Sequence, residues 1–164
     1  MDRMDRRQFL ARTGAAAWAA GAVSTFSINA AGANQRIRIG VMGAGGRGTQ
    51  LAEWFAQRPD VQVVYVADPD KARRDMCVER IKKIAKRKPK SIPDFRKMLD
   101  DKRVDAIINA TPDHWHVLGS ILACQAGKDV YLEKPLSHNM WEGRKLVEAV
   151  RKYKRILQVG TQNR

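Results

Sequence analysis

Three observations predict an α/β fold whose doubly wound parallel sheet is covered by helices on both faces. Strand-like and helix-like segments alternate along most of the chain. The connections between them are too short for anything but crossover units. The first strand-like run ends in a cluster of glycines that opens directly into helical spacing. A crossover helix returns the chain to the same end of the sheet, so successive strands run parallel.

Ile37–Gly48 reads Ile-Arg-Ile-Gly-Val-Met-Gly-Ala-Gly-Gly-Arg-Gly, an apolar strand entering a tight turn. Thr49–Gln57 then has helical spacing, with Leu51, Trp54 and Phe55 expected on one face. Val61–Ala67 is a buried strand by its β-branched content and ends at Asp68. Pro69-Asp70 starts a helix in which Cys77, Ile81 and Ile84 fall at i, i+4 and i+7. Lys88–Pro93, with Pro89 and Pro93, reads as a connection, after which Asp94 can cap a helix through Leu99. Val104–Asn109 is the third clear strand and runs into Thr111-Pro112-Asp113-His114-Trp115-His116. Val117, Leu118, Ile121 and Leu122 mark the next helix. Strand Asp129–Leu132 stops at Glu133-Lys134-Pro135. A further helix is expected to bury Leu146, Val147 and Val150, and strand Ile156–Val159 leads to Gly160-Thr161-Gln162-Asn163-Arg164.

Composition limits the function classes. The 164 residues are 44% hydrophobic and 29% charged, which suits a folded domain with a real core. The formal charge of +14 raises nucleic acid or an acidic surface as partners. Lys71–Lys90 supplies +8 of it, from ten Lys or Arg against Asp75 and Glu79. No aromatic is interleaved with those cations, so a solvated helix face is expected and no nucleic-acid partner. Cys77 and Cys124 lie far apart on apolar helix faces and are expected as buried free thiols. His114 and His116 are two apart with no third ligand nearby, so no metal site is expected. His138 has no partner apparent in the sequence and is expected to be exposed.

Residues 1–33 read as an export signal apart from the fold, leaving 34–164 as the domain. Arg6-Arg7-Gln8-Phe9-Leu10 is a twin-arginine pattern followed by an uncharged, mildly apolar stretch, and Ala31-Gly32-Ala33 offers a small-x-small cleavage site. Ser24, Thr25, Ser27 and Asn29 dilute the stretch below what a stable membrane span wants. The expected destination is the periplasm or another compartment reached by that route, which carries proteins already folded and often with cofactor aboard.

The glycines carry the chemistry. Gly43, Gly45 and Gly48 have G-x-G-x-x-G spacing after a strand and before a helix. The first makes the turn, the second lets backbone approach a pyrophosphate, and the third lets the helix pack on the strand. The phosphates would then sit on free N–H groups at the helix N-terminus, and Gly46 and Arg47 of the same turn are expected among the cofactor-binding residues. Asp68 lies twenty residues beyond Gly48 at a strand end, where a carboxylate can accept both ribose hydroxyls of an adenosine. The same charge repels a 2′-phosphate and favours NAD, while Arg73 and Arg74 keep NADP open. In such Rossmann-like sheets ligands bind beyond the carboxyl ends of strands, where Thr111-Pro112, Glu133-Lys134-Pro135 and Gly160–Arg164 also fall.

Together, Gly43–Gly48, Asp68, Thr111-Pro112-Asp113-His114-Trp115-His116 and Glu133-Lys134-Pro135 make residues 36–164 resemble the nucleotide-binding half of the Gfo/Idh/MocA oxidoreductases. Gly160-Thr161-Gln162 and the twin-arginine leader are similar to exported bacterial members. The resemblance implies that Thr111, Pro112 and His116 line the cofactor site near the nicotinamide, that Glu133 helps to hold the cofactor, and that Lys134 reaches the nicotinamide ribose and the reacting hydroxyl. Alcohol oxidation needs a group that stabilises or accepts the hydroxyl proton while hydride leaves, a role open to Lys134. The family continues into a second, mostly β domain that shapes the sugar or polyol pocket and carries oligomer contacts; that domain is expected to be absent from this chain.

Two other readings compete. Relatives of the same fold are glycosidases that use bound NAD in a redox-assisted elimination, but they resemble Glu-Val-Pro where this chain has Glu133-Lys134-Pro135. A non-catalytic nucleotide-binding remnant, or a basic interaction protein, is the third.

Overall fold

The computed structural model describes residues 36–161; the export-signal expectation for residues 1–33 and the last three residues lie outside them. Strands β1 (Ile37–Met42), β2 (Val61–Ala67), β3 (Lys90–Ile92), β4 (Ala106–Asn109), β5 (Asp129–Glu133) and β6 (Leu157–Gly160) form one sheet in the order β3-β2-β1-β4-β5-β6. Every pairing in it is parallel. Helices α1 (Gly46–Ala56), α2 (Lys71–Ala85), α3 (Arg96–Leu99), α4 (Asp113–Gln125) and α5 (Met140–Tyr153) supply the connections. This is the doubly wound Rossmann order, reversing direction between β1 and β4.

Two cores lie on opposite faces of the sheet. On one, Leu51 and Ala52 of α1 and Cys77, Val78 and Ile81 of α2 pack on Ile39, Val41, Val63 and Val66. On the other, Val117, Ala123 and Cys124 of α4 and Leu146 of α5 pack on Met42, Ile107, Val130 and Leu132. The β1–β2 register skips one residue between Ile39 and Gly40, so Val64 is the extra residue of β2. Val64 and Tyr65 consequently face the same core although they are neighbours. Both cysteines are free and buried, and burial pushes the Cys77 thiol up to about 11.

The structure changes several boundaries and faces. Helix α1 begins at Gly46 rather than Thr49, because the last glycines of the turn are already helical. β3 lies inside the expected Lys88–Pro93 connection and pairs through Tyr65–Lys90 to Ala67–Ile92. Val104 stays in a turn, its N–H donating to the Asp101 carbonyl, and β4 starts two residues later. Trp54 and Val147 are exposed instead of facing a core. Trp54 instead lies beneath the Arg47 guanidinium, 5.0 Å from its carbon to the ring centroid. On the basic face of α2, Lys71 pairs with Asp75 and Lys82 with Glu79, as surface charges commonly do. Among the described residues no helix is long and apolar enough to cross a membrane.

Candidate functional site

The expected site residues gather beyond the carboxyl ends of β1, β2, β4 and β5. At the end of β1 the Gly43 N–H donates to the Ala67 carbonyl (2.8 Å), which bends the chain over β2. Gly43 has φ +89°, a conformation that L side chains rarely adopt. A Cβ on Gly48 would lie 1.9 Å from the Gly43 carbonyl oxygen, so α1 can seat this close only with glycine there. Gly45 and Gly46 differ: a Cβ on either meets nothing within 4 Å. The turn therefore closes on the sheet through Gly43 and Gly48 and leaves open space over Gly45 and Gly46. Gly45 caps α1 with no side-chain acceptor, leaving the N–H groups of the first turn directed at that space. This cradle fits an anion such as a pyrophosphate.

Asp68 follows β2 and is 8% exposed. Its Oδ2 accepts from the Ala44 N–H at 2.8 Å and its Oδ1 from the Asp70 N–H at 2.9 Å. The carboxylate thus ties the glycine turn to the start of α2. A carboxylate has about four acceptor positions, so two protein donors leave capacity for ligand hydroxyls. Asp68, Gly43, Arg73, Phe95, Pro112 and Trp115 line a hollow of about 570 Å3. Arg73 is held by Asp70, Nε to Oδ2 3.4 Å, and Phe95 meets Trp115 edge to face with centroids 6.3 Å apart.

A second hollow of about 360 Å3 adjoins through Thr111 and is lined by Arg47, Thr111, Asp113, His116, Glu133 and Lys134. Arg47 Nε lies 2.8 Å from Glu133 Oε1 across the 86 residues that separate them in sequence. Glu133 is 5% exposed, and its Oε2 accepts from the Lys134 N–H at 3.1 Å. Lys134 is exposed at the rim, before a cis peptide to Pro135. His116 contributes to the wall but is nearly fully buried. Its Nδ1 lies 2.6 Å from the Pro135 carbonyl oxygen and its Nε2 2.8 Å from the Thr111 carbonyl oxygen. The ring therefore bridges the loops after β4 and β5 rather than presenting a nitrogen to the hollow.

One contributor, Asn109, was not singled out from the sequence, and one residue that was, His138, gains a partner. Asn109, fully buried at the end of β4, donates from Nδ2 to the His116 carbonyl and to Ser120 Oγ, both at 3.0 Å. Its Oδ1 accepts from Thr111 Oγ1 at 2.7 Å, so one amide fixes the whole loop into α4. A polar residue closing a run of apolar strand residues is the signal that marks it. His138, expected to stand alone, has Nδ1 3.1 Å from Asp113 Oδ2. That contact holds the Asp113 carboxyl below its ordinary value. Among the described residues no three His, Cys, Asp or Glu side chains cluster as a metal site needs.

A strand–glycine turn–helix unit, an acidic residue after β2 and hollows at the sheet's reversal point define a dinucleotide-binding domain. Residues 37–161 match the oxidoreductase family with an NAD-binding Rossmann fold, and the chain belongs to that family, Gfo/Idh/MocA. An inositol 2-dehydrogenase of Rubrobacter xylanophilus is 33% identical over 135 residues, 81% of this chain and 37% of that protein. A glycosyl hydrolase family 109 protein of Shewanella is 30% identical over 116 residues, 68% of this chain and 25% of that protein. GenD2 from gentamicin A biosynthesis, solved in complex with NAD, superposes with a TM-score of 0.70 at 25% identity, over 77% of this chain and 34% of its own. The chain thus spans about a quarter to two fifths of the length of these relatives.

Proposed function

We propose that the chain binds NAD across both hollows and serves, in a longer enzyme, the transfer of hydride between a sugar or polyol hydroxyl and the nicotinamide. The observation that carries this reading is that the hollow holding Gly43 and Asp68 and the hollow holding Arg47 and Lys134 share Thr111 in their walls. The adenosine ribose would bind at Asp68, the pyrophosphate at the N–H groups of Gly46 and Arg47, and the nicotinamide half beside Thr111, Pro112 and Lys134. The nicotinamide supplies the hydride acceptor when bound. Lys134 would hold or take the hydroxyl proton at Nζ, while His116 and Asn109 fix the loops that form the wall.

NAD is favoured over NADP because the Asp68 carboxylate, bound at the adenosine ribose as proposed, would repel a 2′-phosphate there. Isothermal titration of the full chain with NAD and NADP tests the reading. Binding of NAD, with NADP at least tenfold weaker, is expected; a folded chain that binds neither sinks it.

The similarity to a glycosyl hydrolase family 109 protein favours a second reading, an NAD-dependent redox-assisted glycosidase of the same fold. NAD-dependent release of nitrophenol from a nitrophenyl glycoside by a longer relative carrying Glu-Lys-Pro would put that reading first. We also propose export by the twin-arginine route from Arg6-Arg7. Replacing both arginines by lysine in a reporter fusion should retain the reporter in the cytoplasm.

A further inference from the structure

We propose that Glu133 acts as a positioning residue for Arg47 rather than as a ligand of the dinucleotide, and that Arg47, so oriented, is the cationic clamp on the pyrophosphate. The inference rests on the reading of the chain as a dinucleotide binder. A guanidinium on the first turn of a surface helix ordinarily samples many rotamers, and a ligand that needs it must order it. Here three contacts order it beforehand. Nε lies 2.8 Å from Glu133 Oε1, Nη1 donates to Gln50 Oε1, and the guanidinium carbon stands 5.0 Å over the Trp54 ring. Those contacts use Nε and Nη1 and leave the Nη2 donors for an anion, on the helix turn whose own N–H groups face the open space over Gly45 and Gly46.

Glu133 is placed for support. It is 5% exposed, with one oxygen 2.8 Å from Arg47 Nε and the other accepting from the Lys134 N–H. One carboxylate thereby links the phosphate end of the site to the lysine at its other rim. Trp54 explains itself in the same way: an exposed tryptophan on α1 is a floor for the arginine.

The test compares ligands with and without a pyrophosphate. NAD, ADP and adenosine are titrated into the full chain and into R47A, E133Q, the R47A/E133Q double variant and W54L, with ligand-observed NMR for the weakest. R47A should weaken NAD and ADP by roughly ten- to a hundredfold, E133Q by about three- to tenfold and W54L by about two- to threefold. Adenosine should be unmoved in all of them. In the R47A background E133Q should add less than about twofold, because a residue that acts through Arg47 has nothing left to act on.

An equal E133Q loss in both backgrounds makes Glu133 a ligand in its own right and overturns the proposal. So does a loss of adenosine in step with ADP, which marks a merely structural role, or full ADP affinity in R47A. Should E133Q fail to fold, W54L decides: its exposed site tolerates change, and unaltered ADP binding there overturns the ordered clamp. A parent chain that binds NAD while its variants match it refutes the clamp alone. A parent that binds no NAD refutes the underlying reading, and the clamp falls with it.

Discussion

The two hollows at the sheet's edge are built in opposite ways. The one around Gly43 and Asp68 is shaped by backbone: a positive φ, a carbonyl 1.9 Å from where a Cβ would stand, and a carboxylate on two N–H groups. The one around Lys134 is shaped by side chains that reach across the sheet, Arg47 to Glu133 and His116 to Pro135. The first kind of wall is stiff and fails with stability when altered. The second can lose a contact and keep its fold. Substitutions should therefore separate stability from binding according to the side they touch.

The largest effect should come from Gly48→Ala. Its Cβ would meet backbone rather than a flexible side chain, so the helix must shift off the sheet. We expect a loss of about 3 kcal/mol, read as a fall in Tm of roughly 10 °C, together with loss of NAD binding. An unchanged Tm would mean that the turn is not closed in solution. Asp68→Ala comes next. It strips the acceptor from the buried Ala44 N–H and should cost about 1–2 kcal/mol in denaturant unfolding, with NAD weakened as well.

Gly46→Ala sharpens the contrast within the same turn. The position is helical and open, so alanine should leave stability equal or raise it by about 0.5 kcal/mol. On the proposed reading the methyl group would stand where the pyrophosphate approaches, and NAD binding should fall by roughly tenfold or more. Equal affinity for NAD would place the phosphates elsewhere.

The same division decides what could be read from the sequence. Gly43 and Gly48 belong to a local strand–turn–helix pattern and Asp68 stands at the end of the strand that follows it, so their spacing, joined to the alternating strands and the other strand-end motifs, marks them. Alternation and short crossovers mark a parallel sheet covered on both faces, while the strand order appears only in the structure. β3 escaped because three residues between Pro89 and Pro93 carry no apolar alternation and become a strand only by pairing with β2. Trp54 resembles a core residue by its spacing, because nothing local reveals that Arg47 will cover it. Arg47–Glu133 and His138–Asp113 join residues 86 and 25 positions apart. Periodicity has no term for such pairs; they exist only once the parallel sheet has set the strand ends side by side.

The smallest expected effect concerns acid, and it again distinguishes the two sides. Asp94, on the rim of the Asp68 hollow, is held down to about 2 by the Arg96 guanidinium and then by the Arg96 N–H. Asp113, on the Lys134 side, is lowered chiefly by its hydrogen bond from His138. A carboxyl depressed in the folded chain contributes stability that is complete above the ordinary value near 4. That contribution disappears as the pH falls from there through the folded value. For the solvent-exposed Asp94 pair it should stay under about 1 kcal/mol. Carbon-13 NMR of the carboxyls makes the difference visible. Arg96→Ala should release Asp94 towards 4 and leave Asp113 alone, while His138→Ala should release Asp113 and leave Asp94 alone. The Asp94 contact lies within one short turn and should survive any rearrangement of the sheet edge. The Asp113 contact depends on the loop after Pro135 lying against the start of α4, so an Asp113 titration indifferent to His138 would show that loop to stand away from the Lys134 hollow in solution.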